Sequence, residues 1–250
     1  MSESLILAII VTVFLGALTR TTFGFGEAVV SMPLLTFLPI HLHTAVSLIG
    51  LVALTVAVFT VTTGWRHINR VELIPVVISA LAGIPVGLLM VTWVPANTVT
   101  GFLGAALITY GAYFLSRGRI TSADGQDRLR QPVWGLLFGF ASGLFGSAYN
   151  FAGVPVAIYG SLRGWQPRTF RSTMQAYFLV SGTLIVVGQG TSRMWTSQMF
   201  ALYLFSLPAI AAAILVGTIL HKNIPTAKFQ RYVFVLVTAL GAVLLVKSVF

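Results

Sequence analysis

The sequence predicts an all-α polytopic membrane protein made of two inverted repeats, each an interrupted helical hairpin followed by three transmembrane helices. Three observations predict it. The chain is 57% hydrophobic and 8% charged, against about 25% charged in ordinary soluble domains. Six apolar stretches free of internal charge are long enough to cross hydrocarbon, which takes about 20 residues. Two further apolar segments, at matching places in the two halves, are interrupted by Gly and Pro. Paired interruptions of this kind are the sequence sign of a transporter binding site at the membrane midplane.

The first interrupted segment is 14–40, FLGALTRTTFGFGEAVVSMPLLTFLPI. It breaks at Gly24-Phe25-Gly26, with Arg20 and Glu27 beside the break. Its arms are 5–23 and 28–40. The plain spans 44–64, 73–92 and 98–116 follow. Residues 117–131, RGRITSADGQDRLRQ, are the one sizeable polar linker and hold both aspartates. The second interrupted segment is 136–162, with an expected break around Gly143 and Gly146 and then Pro155. Its arms are 133–145 and 148–162. At about 1.5 Å per residue the first of these arms is roughly 20 Å long, too short for a ~30 Å core, so this pair reads as a hairpin turning inside the membrane. The spans 172–190, 196–220 and 229–248 complete the second half. The expected organisation is therefore a first repeat over 1–116, a cytoplasmic linker over 117–131 and a second repeat over 132–250. The N-terminal stretch lacks a basic n-region and a small-residue cleavage site, so it reads as a retained helix.

The basic residues orient the halves. If each interrupted segment crossed once, the halves would be parallel and Lys/Arg would divide almost evenly between the two faces. If each goes in and returns, the halves are inverted. Twelve basic residues then share a face with the linker, opposed only by Arg193 and Lys247. Orientation follows Lys and Arg in short loops, so the inverted arrangement is expected, with the linker cytoplasmic and both termini outside. The same loops account for the net charge of +10. No basic run is interleaved with base-stacking aromatics, and nucleic acid is not an expected partner. Trp65, Trp93, Trp134, Trp165 and Trp195 lie near predicted membrane ends and read as interface anchors. Arg163, Arg168, Arg171, Lys222 and Lys228 read as orientation signals.

Few residues remain to carry chemistry. Glu27 is an intramembrane carboxylate and hence a functional candidate. It reads either as a proton-coupling group or as the structural partner of Arg20. Arg20 is always protonated, and its planar fork suits sulfonate, sulfite, carboxylate or phosphate oxygens. Helices restarting after Gly24 to Gly26 and after Gly146 would offer backbone N–H groups and a positive dipole end to an anion. Ser147, Tyr149 and Asn150 stand at the second restart. Gln175, inside a predicted span, needs partners and reads as cavity lining or as helix glue. His41 and His43 read as interfacial. The absence of cysteine excludes disulfides and thiol chemistry. No phosphate-binding loop, HExxH or GxSxG occurs, so neither an enzyme nor a cofactor is expected.

The blocks GFGEAVVSMPLL (24–35) and GLFGSAYNFAGVPVAIY (143–159), each opening one half, are where the chain resembles the TauE/SafE sulfite exporter family. Family members carry a glycine-richer version of both blocks. Glu27 stands where the family has glycine, and Ser147 to Asn150 replace another glycine run. The resemblance implies an inner-membrane secondary transporter exporting small sulfur-containing anions such as sulfite or organosulfonates. Coupling through Glu27 is the residue-level addition, and the alternative is an anion channel or a transporter of another small carboxylate-type anion. The expected partners are a small anion and the lipid bilayer, with a homodimer left open.

Overall fold

In a computed structural model the chain is described over residues 2–61, 65, 68–116, 132–163, 165, 167–223 and, near the C-terminus, 235, 238–239, 241–243, 245–246 and 248. Among the described residues there is helix and no strand. In chain order the helices are α1 (Glu3–Phe23), α2 (Glu27–Thr36), α3 (Leu42–Val61), α4 (Arg70–Trp93), α5 (Ala96–Ser116), α6 (Pro132–Tyr149), α7 (Gly153–Leu162), α8 (Pro167–Thr191) and α9 (Ser197–Asn223). The described positions from 235 onward are helical as well. Among the described residues, four helices are long and apolar enough to cross a membrane: α1, α3, α4 and α9. The linker 117–131 lies outside the described residues.

Side chains are partitioned as hydrocarbon solvent demands. Large apolar groups point outward, among them Ile78 on α4, Phe59 on α3 and Leu204, Leu215 and Ile219 on α9. Contiguous exposed apolar surface on this scale marks a membrane-facing protein. The interior holds Thr12, Arg20, Glu27, Ser47, Ser142, Gln175 and Gln189. Hydroxyls within helices mostly return to the carbonyl one turn back, as Thr12 does to Ala8 and Thr21 to Ala17. Lipid offers no other partner for a polar group.

Small residues let the helices approach closely, as they do in membranes generally. On α6, Gly135, Gly139, Gly143 and Ser147 recur every four residues. They face α4, where Ser79, Ala80, Gly83 and Gly87 form the opposing strip. A Cβ added at Gly83 would lie 2.8 Å from the Leu144 nitrogen and 3.1 Å from the Phe140 carbonyl carbon. Residue numbers rise together along this seam, so α4 and α6 run parallel. Gly217 of α9 meets Thr21 of α1 in the same manner.

Two further close pairs are antiparallel. Along α3 and α8, the Ser47 hydroxyl donates to the Met194 carbonyl (3.2 Å), Gly50 abuts Gln189, Leu54 abuts Gly182, and the Thr60 hydroxyl donates to Gln175 Oε1 (2.8 Å). Gly101 abuts Ser248 and Gly104 abuts Gly241 and Leu245. The contacts are reciprocal between halves: α4 packs on α6 as α1 packs on α9, and α4 packs on α8 as α9 packs on α3.

One expectation is corrected. The second break does not lie at Gly143 and Gly146. α6 continues through both and has 18 residues, about 27 Å at about 1.5 Å per residue. That is close to the thickness of the hydrocarbon core, so the first arm is not short. The interruption falls at 150–152. The glycines inside α6 serve the α4 seam instead, where a side chain would separate the helices.

Candidate functional site

α1 stops because Gly24 turns left-handed (φ +84°) and donates its N–H to the Arg20 carbonyl at 2.7 Å. Gly26 is left-handed too (φ +97°), and α2 starts immediately after it. Two departures of this kind, on either side of Phe25, are tolerable because glycine has no Cβ. The second interruption uses a different residue. Asn150 sits at φ +60°, its N–H bonded to the Gly146 carbonyl at 2.8 Å. Asparagine is one of the few side chains that accept this region. α7 then begins at Gly153.

The two interruptions meet. A cavity of about 20 Å³ lies between them. Its walls include Gly26, Glu27, Ala28 and Val29 at the start of α2, and Gly153 and Val154 at the start of α7. Arg20, Phe25, Asn150, Phe151 and Phe178 close it. Two helix N-termini thus open on one space, each bringing a partial positive charge. At α7 the Val154 N–H is bonded to the Phe151 carbonyl at 3.1 Å and Pro155 carries none. The volume admits about one water molecule, so an anion enters only when the walls move.

The charged pair stands at this wall. Arg20 Nη1 donates to Glu27 Oε2 at 3.0 Å, with both side chains 5% exposed or less. The partners come from different helices, brought together by the Gly24–Gly26 turn. Arg20 also lies 4.3 Å from the centre of the Phe178 ring, a cation–π contact that offsets part of its lost hydration. Among the described residues, Arg20 Nε and Glu27 Oε1 are buried without a hydrogen-bond partner. Each ion therefore keeps unused capacity beside the cavity, an unusual condition for buried polar groups.

Of the other residues singled out in sequence, Asn150 is at the cavity. Its Nδ2 donates to the Val46 carbonyl, and its Oδ1 accepts from Gln189 Nε2 at 3.5 Å. Gln175 is off the cavity. Its Oε1 accepts from Thr60, and its Nε2 donates to the Gly24 carbonyl at 3.4 Å, so it ties α3 and α8 to the first turn. Gly146 and Ser147 are not on the cavity either. A Cβ at Gly146 would meet Ala152 and Ile185, and the Ser147 hydroxyl lies 2.8 Å from the Ile84 carbonyl inside the α4 seam. The side chain of Tyr149 lies outside the described residues. His41 and His43 are exposed at the start of α3.

Three contributors escaped the sequence reading. Gln189, fully buried with an unpartnered Oε1, supports the second turn as Gln175 supports the first. The two amides lie fourteen residues apart on α8, and the reasoning applied to one applied equally to the other. Phe178 beneath Arg20 carried no signal in an apolar span. Glu72 accepts from both the Tyr159 hydroxyl and the Arg163 guanidinium, tying the start of α4 to the end of α7. Arg163, read as an orientation signal, is thus also a structural tie.

No curated protein and no solved structure matches the chain. The family model described as Sulfite exporter TauE/SafE matches residues 8–244, nearly the whole length, and covers both interruptions. The chain therefore belongs to the TauE/SafE sulfite exporter family, a family of membrane transporters.

Proposed function

We propose that this chain is an inner-membrane secondary transporter that exports small sulfur-containing anions, sulfite or organosulfonates, one at a time through the cavity between the two turns. The observation that carries this reading is the convergence of two helix starts on one space beside Arg20. Backbone N–H groups and a guanidinium are what a sulfonate or sulfite oxygen seeks. Glu27 serves as the resident counter-ion. An arriving anion competes for Arg20, and the released carboxylate takes a proton, because two negative charges around one guanidinium would be unfavourable in so dry a place. Anion and proton then cross together and the net charge of the site stays constant.

The halves, 1–116 and 132–250, are proposed to be inverted about an axis in the membrane plane. What supports this is the antiparallel run of α3 against α8, and of α5 against the C-terminal helical positions. Equivalent elements related by an axis along the membrane normal would run parallel. The reciprocal pairing of α1 with α9 and of α4 with α6 fits the same operation, and rocking of one half against the other would give alternating access.

Topology is checkable by labelling, since the chain has no cysteine. Val71→Cys and Ser122→Cys should react from the cytoplasmic face, Asn97→Cys and Ser197→Cys from the other. Val71 and Ser197 reacting from one face would exclude inversion. Function is tested with purified protein in liposomes. Methanesulfonate flux should be saturable and should carry protons, read by a trapped pH dye, and Glu27→Gln should stop the proton movement. Conductive flux that survives Glu27→Gln unchanged would make the protein an anion channel instead.

A further inference from the structure

We propose that the preferred cargo is an amphipathic monoanion, its sulfonate-type head beside Arg20 and a short apolar tail lodged past Phe151 in a second cavity. This deepens the transport reading and rests on it, since it takes the Arg20 cavity as the seat of the charged head. The second cavity measures about 360 Å³, against about 20 Å³ for the first. It lies among α5, α6 and α7, and of the described residues around it only Thr109 and Tyr113 are polar. The Thr109 hydroxyl is returned to the Ala105 carbonyl at 2.8 Å. An apolar cavity of about 150 Å³ already holds benzene, so this one has room for a butyl or hexyl chain or an aromatic ring.

What joins the two spaces is a shared wall. Phe151 and Val154 line both. Phe151 directly follows the left-handed turn at Asn150 and is 5% exposed. Turning its ring aside would connect a small cavity carrying a guanidinium to a larger one that is almost purely apolar. A bare inorganic anion uses only the first, and the second adds nothing to its binding. A methylene placed in the second is removed from water and tightens binding about fourfold. The charged and apolar spaces therefore suit one molecule that carries both characters.

The test uses the full-length protein in lipid nanodiscs. The probes are methanesulfonate, butanesulfonate, hexanesulfonate and 1-hexanol, and dissociation constants are read by ligand-dependent shifts of the melting temperature. Affinity should rise about fourfold per methylene from methanesulfonate to butanesulfonate, while 1-hexanol should bind far more weakly than hexanesulfonate. Ala141→Trp, which fills the second cavity, should remove the gain with chain length and leave methanesulfonate binding intact. Ala106→Trp approaches the same space from α5 and serves where the first variant does not fold. The double variant Arg20→Met/Glu27→Met should bind none of the sulfonates. Equal affinities along the series, with methanesulfonate still bound, would overturn the tail slot and leave the transport reading standing. Hexanol binding as tightly as hexanesulfonate, in the double variant as well, would overturn it too and make the space an acyl-chain slot for lipid. Absence of any sulfonate binding would overturn the slot together with the anion site.

Discussion

Glu27→Ala should cost about 3–5 kcal/mol of stability and abolish transport, because it leaves the Arg20 guanidinium buried without its counter-ion. Arg20 is 4% exposed and, among the described residues, retains only the Phe178 ring. A cation–π contact contributes about 2 kcal/mol or somewhat more when desolvated, well short of the several kcal/mol that an uncompensated buried ion costs. The informative companion is Arg20→Met/Glu27→Met. Removing both charges removes both desolvation terms, and replacing a buried pair by apolar groups of similar volume is commonly neutral or stabilising. The double variant should therefore recover to within about 1 kcal/mol of the parent, or exceed it, as read from the midpoint of SDS-induced unfolding. Its transport should remain nil. A purely structural pair would behave otherwise: once stability returned, flux would return with it. Restored flux in the double variant would thus remove Arg20 and Glu27 from the transport mechanism.

The stability of the pair does not by itself argue for function, since apolar residues would hold the same place at lower cost. The cavity is what changes the weighing. A structural ion pair normally satisfies its remaining donors and acceptors, whereas here Arg20 Nε and Glu27 Oε1 have no partner among the described residues and the pair borders a space lined by two helix starts.

How much of this was legible in the sequence depended on what each glycine does. The first turn was legible because Gly24 and Gly26 lie between an arginine and a glutamate. Charges do not stand in an apolar helix without cause, and both glycines take positive φ. The second turn was misplaced by several residues because its left-handed residue is Asn150. The conspicuous glycines before it, Gly135, Gly139 and Gly143, have a different task. Their spacing of four residues is a packing signature, and the matching small strip on α4 (Ser79, Gly83, Gly87) was equally visible. Read as a packing strip, that glycine run would have carried α6 unbroken up to Asn150. The spans of α1, α3, α4 and α9 and the paired interruptions needed only hydrophobic length and punctuation. The cavity walls were beyond reach because they depend on which faces of α2, α7 and α8 meet. No single-chain periodicity records that for Phe178 or Gln189.

These two uses of glycine lead to the second large effect. Gly24→Val with Gly26→Val should lose about 2–4 kcal/mol, since forcing a residue bearing a Cβ into the left-handed region costs about 1–2 kcal/mol per position. Transport should vanish, because the start of α2 forms one wall of the cavity and is aimed by this turn. Asn150→Gly tests the second turn by the opposite logic. Glycine accepts φ +60° freely, so the backbone remains, but the bonds to Val46 and Gln189 are lost. The expected result is a folded protein with weakened sulfonate binding. Gly143→Ala separates packing from turning. Its Cβ would lie 2.8 Å from Ala80 Cα, so the change should cost about 1–3 kcal/mol through overpacking while leaving the affinity of the folded fraction for sulfonate unchanged. Were Gly24→Val/Gly26→Val to bind and transport normally, the first turn would be a mere hinge between two helices. The anion site would then have to be sought away from the helix starts.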